Sequence, residues 1–399
     1  MTDQSNKVIS LRANQSATSA KEMRLRQLVA EHDSPLFVID AFKLQKQYRK
    51  LAAALPGVDL FYAVKALPNQ DVINTLVEAG AGLDLASSGE VEMARQADVS
   101  PRYTLHTHPI KKDSEIRAAL RYGTTTFVID NLAELEKFRG YRNRVAILIR
   151  LRFQSPNAVV DLSSKFGCDP AEAMVLLKQA RKMGIHIKGF SFHVGSQSAK
   201  PDTHVRAIRA SHTLMQQAHQ AGFTNLNILD IGGGFPVDYN NKAVDIKAFC
   251  APIRTALDKL PSRVRILAEP GRYLVAPAAS AIASIVGKAE RDGRPWYYLD
   301  DGVYGSWSGQ MFDHATYPIE VFREGETRES VLAGPTCDSI DVISNSIALP
   351  DLEIGDLVVG RQMGAYTAAT ATDFNALPRA KAVVVNAGIE EAATPVDFN

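Results

Sequence analysis

From about residue 58 to residue 269, the sequence alternates short apolar runs, typical of buried β-strands, with segments of helical spacing. The runs lie at residues 59–65, 82–86, 103–106, 124–129, 145–151, 187–193, 226–231 and 265–269. An open doubly wound sheet would give the same pattern over any half of this series. The full count therefore favours an α/β fold in which parallel strands close into a TIM-type (β/α)8 barrel.

The pattern changes after about residue 275, where turn residues rather than long helices separate the strand-like runs. These runs lie at residues 296–299, 319–322, 331–333, 357–359 and 382–385. They predict a separate, mostly antiparallel β domain, which the run at 35–40 could join. The predicted organisation is an N-terminal segment (1–40) partly joining the β domain, a barrel (41–275) and a C-terminal β domain (276–399). The first twenty or so residues are expected to be mobile.

Charge and cysteine content argue against several classes of protein. The 45 lysines and arginines nearly balance the 44 aspartates and glutamates, so neither nucleic acid nor an anionic membrane is expected as a partner. No apolar run is long enough to span a membrane, and no signal-peptide pattern opens the chain. Three cysteines without metal-type spacing argue against a disulfide framework and a metal site. We expect a soluble, cytoplasmic protein.

Lys65 is the first candidate for chemistry, because it closes the first apolar run. Active sites of such barrels lie at the carboxyl ends of the strands. A lysine there directs its amine into the barrel mouth, where loss of water favours the neutral, nucleophilic form and Schiff-base chemistry. The alternative is a lysine that reaches out to solvent.

Three glycines, Gly232, Gly233 and Gly234, follow the seventh run, and the eighth run ends at Glu269 with Arg272 close behind. Consecutive glycines let backbone N–H groups approach an anion, and the loops after strands seven and eight often hold phosphate. Arg272 would add charge-assisted bonds. Glu269 would suit the protonated nitrogen of a pyridine ring. A tight turn and a buried Glu–Arg pair are the alternatives.

Other ionisable or aromatic residues end neighbouring runs: His193 with Ser196 close behind, Arg150 and Asp84. The flat ring of His193 suits stacking on a planar cofactor, and the Ser196 hydroxyl suits its phosphate. Any one of these residues could be structural, but a lysine, a glycine cradle, an arginine and an acid that meet in one barrel mouth are the parts needed to hold pyridoxal phosphate. In the β domain, Cys337 stands beside an acid in a Gly-Pro turn, and Tyr366 follows Gly-Ala. On pattern alone, both could be ordinary packed residues.

The motifs as an ordered set resemble the fold-type III pyridoxal-phosphate decarboxylases, which have an alanine racemase-like barrel, and most closely their ornithine decarboxylase branch. The matching stretches are Tyr62-Ala63-Val64-Lys65, Ser164-Lys165-Phe166-Gly167, His193-Val194-Gly195-Ser196, Gly232-Gly233-Gly234-Phe235-Pro236, Glu269-Pro270-Gly271-Arg272-Tyr273, Asp301-Gly302-Val303-Tyr304-Gly305-Ser306, Gly334-Pro335-Thr336-Cys337-Asp338 and Gly364-Ala365-Tyr366-Thr367. They run in family order over nearly the whole chain, which makes the set highly specific.

The resemblance implies a role for each matching residue. Lys65 would form the Schiff base with the cofactor, His193 would stack on its ring and Glu269 would pair with the ring nitrogen. The implied phosphate ligands are Ser196, Gly233, Gly234, Arg272 and Tyr366, and the residues implied to line the cofactor site are Asp84 and Arg150. Within the family, the sites are completed across a head-to-tail homodimer.

The other subunit would then supply Cys337, which protonates the substrate Cα, and Asp338, which receives the distal amine. Further matches are Asp313, the second acid of the amine pocket, Tyr304 and Phe374, its walls, and Lys165 and Asp341, an intersubunit ion pair. The implied reaction is decarboxylation of L-ornithine to putrescine, a step of polyamine biosynthesis.

Several alternatives share this framework. Lysine, both lysine and ornithine, or a related diamino acid would need only a different pocket length. Diaminopimelate decarboxylase is disfavoured, because Asp338 stands where we expect Glu and because two acids would repel a zwitterionic substrate end. The Cys-Asp motif argues against alanine racemase, and retention of Lys65 with Cys337 argues against a non-catalytic homologue. His106 and His108 depart from the family pattern and have no implied role.

Lys65 is expected to carry the cofactor covalently. Borohydride reduction of the cofactor-loaded protein, followed by peptide mapping, should find the label on this lysine, because reduction fixes a Schiff base irreversibly. A label on any other lysine would contradict the assignment.

Overall fold

The computed structural model describes residues 15–154, 158–160, 164–239, 244–389, 395, 396 and 398. The chain divides into two compact units. One, the barrel unit, comprises Gln45–Val237 and Ala243–Leu274. The other, the β unit, comprises the remaining described residues, which are 15–44, 238–239 and those from Val275 onward.

The barrel unit contains a closed barrel of parallel strands that neighbour one another in chain order. Barrel strands one to eight are Val58–Ala63, Gly82–Leu85, Thr104–His106, Thr126–Ile129, Ala146–Leu151, His186–Phe192, Ile228–Asp230 and Arg265–Ala268. The helices around them are Gln70–Glu78, Ser88–Gln96, Asp113–Tyr122, Leu132–Lys137, Pro170–Met183, Asp202–Gln220 and Ile246–Leu257. A separate two-stranded antiparallel sheet pairs Ala158–Val160 with Ser196–Ser198. The predicted TIM-type barrel is confirmed.

Local sequence signals explain where many of these helices begin and end. The side-chain oxygen of Asn69 accepts from the backbone N–H of Asp71 and Val72, which satisfies donors that the first turn leaves unpaired. Asp169 and Glu172 form a capping box at the start of Pro170–Met183. The same helix ends at a left-handed glycine, Gly184 (φ 67°).

The interior of the barrel is a small apolar cluster contributed by six strands. Its members are Phe61, Leu105, Val128, Leu148, Ile228 and Leu267, each at most 7% exposed. Side chains alternate between the two faces of a strand, so the residue two positions further along points to the same side. In five of the six strands this position holds a polar residue: Leu105 is followed by Thr107, Val128 by Asp130, Leu148 by Arg150, Ile228 by Asp230 and Leu267 by Glu269. The layer above the apolar interior, at the mouth of the barrel, is therefore polar.

The β unit contains an eight-stranded sheet. Its strands are Leu36–Asp40, Ala279–Arg291, Arg294–Leu299, Ile319–Val321, Arg328–Ala333, Val342–Leu349, Leu357–Gly360 and Lys381–Val385. Most pairings are antiparallel, as predicted; Leu36–Asp40 pairs in parallel with Lys381–Val385, and Arg294–Leu299 with Arg328–Ala333. The helices Gln15–His32 and Gly309–Phe312 belong to the β unit, whereas Ala41–Ala54 and Arg272–Val275 each include residues of both units. In the described part of the chain, the 3-10 turns are Val64–Ala66, Pro101–Tyr103, Arg139–Tyr141, Ala276–Ala278, Ala368–Thr370 and Phe374–Ala376.

Three elements differ from the sequence prediction. The strand Ala279–Arg291 was not predicted, although it pairs with three other strands, because its alanines and serines give it little intrinsic β character. The strand Val342–Leu349 was also missed. The helix Gln15–His32, which includes residues 15–20, was not predicted, and it packs its fully buried Leu25 against the sheet. None of the described helices is long and apolar enough to cross a membrane.

Candidate active site

Lys65 and Asp84 form an ion pair at the mouth of the barrel. Lys65 lies in the 3-10 turn that follows strand one, and its Nζ lies 3.0 Å from Asp84 Oδ2. The Asp84 side chain is 1% exposed, whereas that of Lys65 is 43% exposed. The second Asp84 oxygen, Oδ1, accepts a short hydrogen bond from the Thr107 hydroxyl. A partly exposed amine is thus held by a buried, oriented carboxylate.

Glu269 lies beside a second buried acid, Asp230. Asp230 Oδ1 accepts from the backbone N–H of Gly232 at 2.9 Å, and the Glu269 N–H donates to the Gly232 carbonyl at 2.8 Å. Asp230 Oδ2 is buried and has no hydrogen-bond partner among the described residues. Burial and then the charge of Asp230 hold the pKa of Glu269 well above its usual range, and burial likewise raises the pKa of Asp230. The two buried acids together therefore favour holding a proton.

His193 follows strand six and is held in one tautomer. Its Nδ1 accepts from the backbone N–H of Gly195 at 3.1 Å, so the neutral ring carries its proton on Nε2. Burial, with the nearby charges of Arg150 and Lys65, lowers the pKa of His193 well below its usual value. A neutral, flat ring of fixed orientation is suited to stacking on another planar group.

The glycines after strand seven form a cradle that no side chain could share. A Cβ on Gly232 would lie 2.3 Å from the carbonyl oxygen of Phe192, and one on Gly234 would lie 2.6 Å from that of Gly195. Gly232 and Gly234 also have positive φ angles, 65° and 92°. Backbone N–H groups exposed in such a turn are well placed to bind an anion.

Arg272, which is 5% exposed, places a charge at the same end of the barrel. Its Nε and Nη2 donate to Ser196 Oγ at 3.2 and 3.0 Å. The ring Nε2 of the buried His204 lies 3.0 Å from the Gly233 carbonyl oxygen and supports the glycine turn from behind. The structure thus gathers the predicted phosphate ligands Ser196, Gly233, Gly234 and Arg272 in one unit.

Arg150 extends from strand five and lies over the ring of Phe166, 5.5 Å from its centroid. Its neighbours Glu269, Asp130 and Asp84 favour its charged form, while burial lowers its pKa. The backbone N–H of Gly167, next to Phe166, donates to Asp130 at 2.8 Å. The predicted motif Ser164–Gly167 therefore approaches the mouth through Phe166 and Gly167.

Sequence reasoning missed four residues of this mouth: Thr107, Asp130, Asp230 and Glu90. The first three carried a readable signal, because each stands two positions after an interior apolar residue. Glu90 lies in the first turn of Ser88–Gln96 and accepts from the Ala86 N–H at 2.6 Å. Burial raises the pKa of Glu90 to about 7. Its place beside Asp84 and Lys65 depends on the fold rather than on any local pattern.

In the β unit, Tyr304, Asp338 and Phe374 form a second cluster. The Tyr304 hydroxyl donates a short hydrogen bond to Asp338, and its ring stacks on Phe374 with centroids 4.5 Å apart. This hydrogen bond lowers the pKa of Asp338 and raises that of Tyr304 to about 12. The carboxylate is therefore ionised at neutral pH and lies against aromatic rings, a combination that suits an aliphatic chain with a cationic end.

Cys337 is exposed in this cluster, and its Sγ lies 3.4 Å from the side-chain amide of Asn375. The loop that carries Cys337 is fixed by Asp341, which is 2% exposed. Asp341 accepts from the backbone N–H of Val303 and of Thr336, each at 2.9 Å. Both carboxylate oxygens thus accept hydrogen bonds from backbone groups of the same chain. The ion pair between Asp341 and Lys165 of another subunit stays a prediction.

Two further predicted site residues, Asp313 and Tyr366, lie in the β unit. Asp313 follows the short helix Gly309–Phe312 and is half-buried. Tyr366 is half-buried and adopts a left-handed backbone conformation with φ 55°. Such a conformation is rare for a bulky residue and is often found at functional sites.

The barrel mouth fits pyridoxal 5'-phosphate. The glycine cradle with Arg272 and Ser196 fits the phosphate, the Asp230–Glu269 pair offers negative charge for a ring nitrogen, and Lys65 supplies an amine. The neutral ring of His193 offers a stacking face. These groups all end or follow barrel strands, where this architecture places its active sites.

Comparisons with known proteins agree with this interpretation. Over residues 42–276, the chain matches the family described as pyridoxal-dependent decarboxylase, pyridoxal binding domain. Lysine/ornithine decarboxylase from Selenomonas ruminantium is 35% identical over 373 residues, which cover 93% of this chain and 95% of that protein. Ornithine decarboxylase from Rattus norvegicus is 33% identical over 380 residues, covering 90% and 82% respectively. The predicted cofactor and decarboxylase class are confirmed.

Solved structures are similar over nearly the whole chain. Lysine/ornithine decarboxylase from Vibrio vulnificus, complexed with putrescine, is 50% identical, with a TM-score of 0.87 and coverage of 91% of this chain and 98% of that chain. A second structure, complexed with cadaverine, is 51% identical, with a TM-score of 0.88 and coverage of 92% and 99%.

Asp230→Asn tests whether the buried acid pair binds a proton. The raised pKa of Asp230, about 6, means that the folded protein binds this proton more tightly than the unfolded chain does. The free energy of unfolding should therefore fall as pH rises from about 4 to about 6. Asn keeps the acceptor for Gly232 but cannot ionise. In the variant, the decrease in the free energy of unfolding between these pH values should therefore be smaller by about 1–3 kcal/mol.

The measurement is urea unfolding of cofactor-free protein at several pH values. Asp258→Asn, which removes an exposed charge from the same unit, is the control and should keep the wild-type pH dependence. An Asp230→Asn curve parallel to that of wild type would contradict a proton held by the buried acid pair.

Proposed function

The chain belongs to the fold-type III pyridoxal-phosphate-dependent basic-amino-acid decarboxylases, and on this premise we propose that it converts L-ornithine to putrescine, with L-lysine as a second substrate. Pyridoxal 5'-phosphate is the cofactor and the enzyme is a carboxy-lyase. When bound, the cofactor accepts the electron pair that remains on Cα as carbon dioxide leaves. The chain's own residues determine which amino acid is bound and where protons are held.

We assign to Lys65 the covalent attachment of the cofactor, with Asp84 orienting its amine. Glu269 would pair with the ring nitrogen, and a protonated nitrogen beside it would favour the ionised form of the carboxyl. Neutral His193 would stack on the ring. The glycine cradle, Ser196 and Arg272 would hold the phosphate, and the family resemblance assigns Tyr366 to the same role.

The cluster of Tyr304, Asp338 and Phe374 is the observation that carries the substrate proposal. Asp338 is held in one orientation by Tyr304 and is ionised at neutral pH, so it can pair with a distal ammonium group. The stacked rings offer an apolar wall to the aliphatic chain of the substrate. Asp313 serves as the second acid, and Cys337, next to Asp338, returns a proton to Cα.

The similarity to lysine/ornithine decarboxylases supports L-lysine as a second substrate. The Vibrio vulnificus relative was solved with putrescine and with cadaverine, the products of ornithine and lysine decarboxylation. One additional methylene alters discrimination by only about 1–3 kcal/mol in an apolar pocket. We therefore expect ornithine to be preferred and lysine to be accepted, while the zwitterionic end of diaminopimelate is repelled by the two acids.

The active unit in this proposal is a cytoplasmic homodimer with shared sites. Lys65 and Glu269 belong to the barrel unit, whereas Cys337 and Asp338 belong to the β unit. The family resemblance, which supports the dimer, assigns these two sets to different subunits of a head-to-tail pair. The buried free thiols of Cys168 and Cys250 support a reducing compartment.

Asp338→Asn should lower kcat/KM for L-ornithine on the order of tenfold or more, because it removes a charge-assisted hydrogen bond to the substrate ammonium. The side chain keeps its shape, so the visible band of the bound cofactor should persist. Ornithine, lysine, arginine and diaminopimelate are compared by kcat/KM in wild type and variant. Asp351→Asn, an exposed carboxylate paired with Lys288, is the matched control.

Undiminished turnover of ornithine by Asp338→Asn would remove Asp338 as the partner of the amine. Wild-type preference for lysine would reverse the proposed order of substrates while leaving the reaction class intact. Activity on diaminopimelate would contradict the two-acid pocket.

Mixing two inactive proteins, Lys65→Ala and Cys337→Ala, should restore part of the activity. A hybrid dimer contains one site in which both residues are intact, provided that each site draws on both subunits. Activity is measured after subunit exchange, which is verified with differently tagged subunits. If activity stays absent in verified hybrids, the shared-site dimer is wrong; each variant mixed with itself is the control.

A further inference from the structure

The segment that links barrel strand three to the next helix, His106–Lys112, has no role in the reaction described so far. It contains the two histidines, His106 and His108, that depart from the family pattern. His106 is fully buried on the outer face of the barrel wall and packs on Phe127, with ring centroids 5.6 Å apart. The next residue, Thr107, is on the inner face. The segment therefore has one residue on the outer face of the barrel, His106, and one on the inner face at the mouth, Thr107.

Thr107 connects this segment to the lysine of the active site. Its hydroxyl donates to Asp84 Oδ1, while Asp84 Oδ2 lies 3.0 Å from Lys65 Nζ. The backbone N–H of Thr107 also donates to the carbonyl oxygen of Leu85, one residue beyond Asp84. Both ends of Thr107 thus hold the strand that carries Asp84. A carboxylate bonded through both oxygens cannot rotate without breaking one bond.

A buried ammonium group anchors the segment on its other side. Lys111 is 3% exposed, and its Nζ donates to the carbonyl oxygens of His108, Pro109 and Val128 at 2.8, 3.0 and 2.7 Å. It also lies 3.1 Å from Glu134, whose carboxylate accepts from the Lys111 backbone N–H as well. Burying a charge is costly unless it is paired and hydrogen-bonded, and here both conditions hold.

His108 connects the same segment to a second ionisable residue of the mouth. Its Nδ1 accepts from the backbone N–H of Ile110 at 3.1 Å, which closes a turn. Its ring meets Phe166 edge to face, with centroids 5.8 Å apart, and the Arg150 guanidinium lies 5.5 Å from the same Phe166 centroid. The segment thus contacts the supports of both Asp84 and Arg150.

We propose that Thr107 is a positioning residue for the reaction: held by the Lys111 anchor, it fixes Asp84 so that Asp84 presents the Lys65 amine to the cofactor. This inference rests on the proposed attachment of the cofactor to Lys65. Thr107 touches neither substrate nor cofactor in this role and acts through Asp84. His108 and Lys111 keep the segment in the one conformation in which the Thr107 hydroxyl reaches that carboxylate.

The test compares Thr107→Val, which keeps the shape and loses the hydroxyl, with Thr107→Ser, which keeps the hydroxyl. Cofactor-free protein is mixed with pyridoxal 5'-phosphate, and the rate at which the visible band appears is followed. Steady-state kcat and KM are measured on the cofactor-saturated enzymes. Thr104→Val is the matched control, since it removes another buried hydroxyl from the same strand at the end remote from the mouth.

Thr107→Val should capture the cofactor about tenfold more slowly and should have a kcat lower by a similar factor, as expected when a hydrogen bond to a charged group is lost. KM for the amino acid should change less than about twofold, because Thr107 does not contact the substrate. Thr107→Ser should recover most of the loss. Thr104→Val should lower Tm while capturing the cofactor at the wild-type rate.

Capture and kcat of Thr107→Val within about twofold of wild type would overturn the inference, as would failure of Thr107→Ser to recover function. Borohydride labelling of each protein separates this failure from failure of the proposed function. If the label in the wild-type protein is on Lys65 but Thr107→Val captures the cofactor and turns over normally, only the role of Thr107 is wrong. If the label in the wild-type protein is on another lysine, both the assignment of Lys65 and this inference are wrong.

Discussion

Closure of the barrel is the constraint on which the rest of the structure depends. Eight parallel strands that close on themselves leave no free edge, and they direct alternate side chains into one narrow interior. The interior is apolar where Phe61, Leu105 and Leu148 meet. Towards the carboxyl ends of the strands, the next inward-facing residues lie directly above this apolar layer. These residues form the active site, so packing in the apolar layer fixes their positions.

The many ionisable side chains at the mouth of the barrel must balance one another's charges. Lys65 pairs with Asp84, and Arg150 lies near Glu269, Asp130 and Asp84, whose charges offset the burial that disfavours its own charge. The pKa values of Asp230 and Glu269 stay raised even though Arg150 and Lys65 are nearby. A cationic ring nitrogen would complete the balance. The mouth is thus electrostatically suited to the family's cofactor, independently of the resemblance in sequence.

The sequence predicted the barrel well because eight periodic runs are a long-range signal that survives local errors at each end. It also located Lys65, His193 and Glu269, which end or closely follow strands. It could not reveal Thr107 or Asp230 as partners of those residues, because hydrogen bonds between neighbouring strands depend on register. Closing a barrel requires a fixed stagger between neighbouring strands, so their register depends on the whole sheet and not on one short stretch of sequence alone.

The β unit was predicted less completely, for a related reason. The strand Ala279–Arg291 has a sequence that suits several structures, and its neighbours on both sides decide the outcome. The cluster of Tyr304, Asp338 and Phe374 joins three segments that are distant in sequence. Motif resemblance named its members, but only the fold explains why Tyr304 fixes the orientation of Asp338.

Asp341 has a consequence for how this enzyme can change over evolutionary time. One carboxylate holds both the loop that bears Cys337 and the loop that bears Tyr304, through the N–H groups of Thr336 and Val303. A Cβ on Gly302 or Gly334 would lie 2.2 Å from an Asp341 oxygen. Drift at any of these positions would disturb both loops at once. The two motifs should therefore be inherited as one covarying unit, and a new substrate preference is more accessible through their side chains than through their backbones.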